Sequence, residues 1–218
     1  TIKLDGNYPV GTDNVALGNT ALDSITSGAG NIAIGDSAAT ALTSGSNAIA
    51  IGRDAMSGAV FTGSDAVAVG RSTLAALTSG SNNVAVGALA LNANTTASNN
   101  TAVGYQSLNA NTTGELNSAV GVNALDANTT GSRNTALGEY ALSANTTASF
   151  NTALGSSSLG LNTTGASNTA VGHNSLQDNT TGATNTAVGK DALANNTTAS
   201  NNTAVGYNSL LLNTTGNQ

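Results

Sequence analysis

The sequence predicts an all-β protein, a parallel β-solenoid or β-roll of about twelve coils of 17 residues. Three observations predict it. A glycine preceded by Val, Ile or Leu recurs at a fixed period, the residues before it alternate as a strand does, and the composition cannot fill an ordinary globular core.

The recurring glycines are Gly18, Gly35, Gly52, Gly70, Gly87, Gly104, Gly121, Gly138, Gly155, Gly172, Gly189 and Gly206, spaced by 17 residues except for a step of 18 after Gly52. The best-preserved unit reads Asn-Thr-Ala-Val-Gly-x-x-Ala/Ser-Leu-x-x-Asn-Thr-Thr-Gly/Ala-x-x, as in residues 117–133 with Ser118 for Thr. A helical hairpin of this length is excluded, because Asn, Thr, Gly and Val are poor helix formers and no stretch keeps apolar residues at helical spacing. Thr-Ala-Val instead alternates large, small, large, which gives a strand two distinct faces. Thr-Thr-Gly and Thr-Ser-Gly then supply bends. Each repeat reads as two short strands and two turns. Stacked in parallel at about 4.8 Å, twelve coils predict a rod roughly 55–60 Å long.

Composition agrees. Charged residues are 7% and aromatic residues 3% of the 218, so many thin layers must replace a thick core. The net charge of −6 offers no basic patch for nucleic acid. There is no cysteine to form a disulfide, and no apolar run approaches the roughly 20 residues of a membrane helix. Residues 1–13, with the lone Pro9, form a lead-in. Residues 14–218 form one solenoid, with apolar-packed coils over 14–87 and Asn/Thr-ladder coils over 88–218. The sequence stops at Gln218 where another strand is due, so the array is expected to continue in a longer chain or to stack end to end.

The columns predict what faces inward. The pre-glycine column is always Val, Ile or Leu, and four residues after the glycine stands a column from Leu22 to Leu210; both are expected in the core. Three before the glycine, Val15, Ile32, Ile49, Val67 and Val84 give way to Thr101 and its successors. Seven after it, Asn appears from Asn94 onward, a change expected to replace apolar packing by hydrogen-bonded amide ladders. The one or two residues directly after the glycine are diverse, including Asp36, Arg53, Arg71, Tyr105, Glu139, Tyr140, His173 and Lys190, as a water-facing surface should be.

The strands Asn31–Gly35, Ala48–Gly52 and Asn83–Gly87 resemble the head repeats of trimeric autotransporter adhesins, which are left-handed parallel β-rolls. The Asn-Thr-Ala-Val-Gly-Tyr copy at residues 100–105 is similar to repeats of phage tail-fibre-like proteins. The resemblance implies a homotrimer in which small alanines meet a partner chain. The unbroken alanine column, represented by Ala33, Ala50, Ala85, Ala102, Ala119 and Ala136, is the expected seam, or else the column that approaches the opposite wall of its own coil.

Catalytic, cofactor and metal sites are not expected. The single histidine, His173, lies in a variable column, and Gly155-Ser156-Ser157-Ser158-Leu159 breaks the nucleophile-elbow pattern at its last glycine. Asp36 and Arg53 share a column and predict a surface ion-pair ladder. Tyr105, Tyr140, Tyr207 and Phe61 are the expected ligand or partner contacts, Phe61 on a protrusion where the register slips; Phe150 is another isolated aromatic candidate. Asn94, Asn111, Asn128 and Asn145 open glycosylation sequons, which an internal Asn ladder would explain without glycans. The expected role is a non-enzymatic shaft or fibre at a cell or virion surface, self-associating as a homotrimer or end to end and contacting a host glycan or protein. The alternative is an ice- or glycan-binding module.

Overall fold

The computed structural model describes residues 13–58 and 60–216. The lead-in and Pro9 therefore lie outside the described residues, except for Asp13. Among the described residues every strand is three residues long, and the chain forms the parallel β-solenoid its period predicts. It divides into two compact units, Thr1–Thr113 and Gly114–Gln218.

The first unit carries β1 (Val15–Leu17), β2 (Ile32–Ile34), β3 (Ile49–Ile51), β4 (Val67–Val69), β5 (Val84–Val86) and β6 (Thr101–Val103), each paired in parallel with the next. The second carries β7 (Ser118–Val120), β8 (Thr135–Leu137), β9 (Thr152–Leu154), β10 (Thr169–Val171), β11 (Thr186–Val188) and β12 (Thr203–Val205), paired the same way. Equivalent residues face each other across every pair, as in Ala136↔Ala153.

Only one strand forms per coil, not the two expected. The cause is local: the second and fourth residues after each glycine take left-handed backbone angles, as at Tyr140 (φ 55°) and Leu142 (φ 54°), so no extended segment survives there. Coils still bond to each other through these bends, as Leu142 N–H does to the Ser158 carbonyl at 3.0 Å. The glycines stack on one another. Gly138 has φ +136°, and a Cβ on it would lie 2.6 Å from both the carbonyl carbon and oxygen of Gly155.

The leucine column is core, fully or nearly fully buried from Leu22 to Leu193. The pre-glycine column is not. Ile34, Val120, Leu137, Leu154 and Val188 are exposed, and the residue turned inward from each strand is the alanine. The coil is too thin opposite the strand for anything larger, so the small face of Thr-Ala-Val lies inside and the large face outside. The Val-to-Thr change three before the glycine accordingly alters the outer face rather than the packing.

Candidate functional site

Two buried columns of asparagine organise the interior. The Asn-Thr-Thr column forms the expected ladder, with Nδ2 of Asn145 donating to Oδ1 of Asn128 at 2.9 Å and Asn162 to Asn145 at 3.1 Å. The second column, four residues before the glycine, was not read as core from the sequence. Its Oδ1 accepts the backbone N–H of its successor, as Asn117 does from Asn134 at 2.9 Å. Within a coil both columns converge on one carbonyl. Gly131 O accepts from Asn117 and Asn128, each at 2.9 Å, and Ala148 O from Asn134 at 2.9 Å and Asn145 at 3.1 Å. The near-invariance of Asn in the strand motif was the signal for this clamp.

These bonds correct the glycosylation expectation. Asn94, Asn111, Asn128 and Asn145 are completely buried, and their amide nitrogens donate inside the coil, so no glycan can be attached to them in the folded chain. The following threonine also serves the stack, its Oγ1 donating to the next coil's carbonyl, as Thr129 does to Thr146 at 3.0 Å. The second threonine of each pair, such as Thr130, Thr147 or Thr164, is exposed.

The alanine seam is corrected as well. Ala33, Ala50, Ala85, Ala102, Ala119 and Ala136 have no exposed surface within a single chain, so no partner can reach them. They approach the opposite wall of their own coil. Phe61 is likewise core, not a contact: it is fully buried and bridges Leu42 in the column otherwise filled by Ile25 and Leu77. The extra residue lets Val60 turn outward at 62% exposure while the ring turns in. Gly63 makes room for it, since a Cβ there would lie 2.6 Å from a ring carbon.

The tyrosines do reach the surface. Tyr105, Tyr140 and Tyr207 are all exposed, but they belong to different coils, Tyr140 and Tyr207 four steps apart, and form no cluster. Lys190 lies 5.7 Å above the Tyr207 ring and 3.4 Å from Asp191. Arg53 pairs with Asp54 of its own coil at 3.3 Å, while Asp36 accepts from Asn19, so the Asp36–Arg53 ladder does not form. His173 is exposed. Asp126 is half-buried, and burial raises its pKa above the ordinary carboxylate value, partly offset by backbone N–H donors. Among the described residues no three His, Asp or Glu side chains are grouped to hold a metal, and no helix is long and apolar enough to cross a membrane.

Two exposed surfaces remain as candidates. One is the outer face of the strands, an aliphatic column beside a Val or Thr column. The other is a column at the bend five residues before the glycine, where Phe150 is 57% exposed with Arg133 5.6 Å from its ring centroid. Phe150, named from the sequence only as an isolated aromatic, is the aromatic that the fold joins to a cation in this column. No protein-family model, curated protein or solved structure matches the chain.

Proposed function

We propose that the chain is a non-enzymatic structural and adhesive element, a segment of an extracellular or virion-surface shaft that associates with copies of itself. The observation that carries this reading is the outer strand face. In the second unit Val120, Leu137, Leu154 and Val188 are exposed at successive or near-successive coils, beside uncharged Ser118, Thr135, Thr152 and Thr186. Charges are held off this face: in the second unit Asp126, Glu139, Asp178, Lys190 and Asp191 follow the glycine, and Glu115 and Arg133 lie at the bend before the strand. A continuous apolar stripe exposed to water favours burial against a matching surface, and in a homo-oligomer that surface is the same face of another copy. The adhesin-like seam thus moves from the alanines to the residues flanking them. Replacing Leu137 and Leu154 together by Lys should leave the coils folded, because both side chains point outward, and should dissociate the assembly in light scattering.

The same face supports a second reading. A flat sheet carrying threonine hydroxyls and aliphatic groups in register, with no charge, also suits ordered water or an ice surface. That reading predicts a monomer with thermal hysteresis, abolished by the same two lysines.

A further inference from the structure

The bend column divides the two units. All its members take left-handed φ, from 56° at Asn47 to 70° at Gly30 in the first unit. There the column is Asp13, Gly30, Asn47, Asp65, Asn82 and Asn99, the residue types that occupy this conformation at least cost. In the second unit five consecutive coils depart from these residue types: three large side chains come first, Leu116 (φ 59°), Arg133 (φ 59°) and Phe150 (φ 64°), and Ser167 (φ 60°) and Thr184 (φ 57°) follow. None of the three large side chains is buried, so packing does not explain them: Leu116 and Phe150 are among the exposed large apolar residues, and Arg133 is exposed too. A local rule broken at the surface without gain in the core marks a functional position.

We propose that Leu116, Arg133 and Phe150 form a recognition site for a glycan bearing a carboxylated sugar. The Arg133 guanidinium has no ion pair among the described residues, unlike Lys190, whose charge meets Asp191. A planar guanidinium presents paired N–H donors that fit a carboxylate. Arg133 lies over one side of Phe150, which fixes its plane, and the next residue in the column, Ser167, is too short to cover the ring. An exposed aromatic surface suits the C–H face of a sugar, and the exposed hydroxyls of Thr130, Thr147 and Thr164, three residues earlier in the same coils, suit its hydroxyls. The protein's net charge of −6 disfavours a polyanion more than a single terminal carboxylate, since charges beyond about 10 Å are screened. The acid beside the site, Glu115, whose carbonyl accepts the Arg133 backbone N–H at 2.9 Å, forms no ion pair with the Arg133 guanidinium among the described residues. The site deepens the adhesive reading without depending on self-association.

The test is an NMR titration of the chain with sialyllactose and with a glucuronic-acid-terminated disaccharide, against lactose as control. At least one carboxylated sugar should shift the resonances of Leu116, Arg133 and Phe150, and lactose should bind at least tenfold more weakly. Arg133→Asn and Phe150→Asn should each weaken binding at least tenfold while melting at the same or a higher temperature, because Asn tolerates the bend. No shift with either acid, shifts confined to other columns, or equal lactose binding would overturn the site. So would Asn variants that melt lower, which would make the column a packing feature; a shift in oligomeric state would bear on the shaft alone.

Discussion

At the residue scale, the fold rests on positions where one atom decides. Gly138 combines a left-handed φ of +136° with a stacked glycine whose carbonyl would sit 2.6 Å from any Cβ. Gly138→Ala is expected to cost roughly 3 kcal/mol or more, adding backbone strain to overpacking that no flexible side chain can relieve. Denaturant unfolding of the variant measures it. Asp126 supplies a pH-dependent term. Burial raises its folded pKa above the unfolded value. Its stabilising contribution is therefore fully present below the unfolded pKa and is lost as pH rises through the folded one. Asp126→Asn should match the parent at acid pH and exceed it in melting temperature at neutral pH. Equal pH profiles for the two would remove Asp126 from the account. Residue identity alone also concealed Phe61: an aromatic beside a slipped register looks like a protrusion, and only the fold reveals that the extra residue swings the ring inward.

At the scale of one coil, the period, the leucine column and the water-facing columns were legible, because each is a repeated choice at a fixed step. The strand's orientation was not. Alternation in Thr-Ala-Val separates two faces without saying which is inside, and the usual preference for large residues within fails where the interior is one alanine deep. The asparagine clamp was half legible: the Asn94 column changed visibly from Ile25, Leu42 and Leu77, while the strand-motif Asn, replaced only by Ala48 and Ala66, showed no such switch along the chain. The clamp yields a sharp expectation. Asn145→Leu should destabilise the second unit by about 2 kcal/mol or more, since it leaves Asn128 Oδ1, Asn162 Nδ2 and Ala148 O each short of a partner in the core. The loss comes from broken pairing and not from leucine itself, for Leu42 and Leu77 fill the same column in the first unit. Chemical denaturation of single and whole-column replacements separates the two: replacing the column throughout the second unit should cost less per residue than the single change.

At the scale of the whole molecule, stability comes from repetition. Each coil contributes one inward alanine from its strand and, in most coils, one leucine and two amides, so neighbouring coils complete one another, as in other repeat proteins. What repetition cannot provide inside is compensated outside: the large side chains excluded from the thin interior become an uncharged outer stripe, and that stripe is the basis for proposing assembly. The measurement that tests this most directly is the mass of the purified chain in solution by light scattering, compared with the Leu137→Lys, Leu154→Lys double variant. The account predicts a multiple of the 21.0 kDa chain mass that falls to a single chain in the variant, with the fold retained by circular dichroism. A single-chain mass for the parent, or an assembly indifferent to the two lysines, would contradict it.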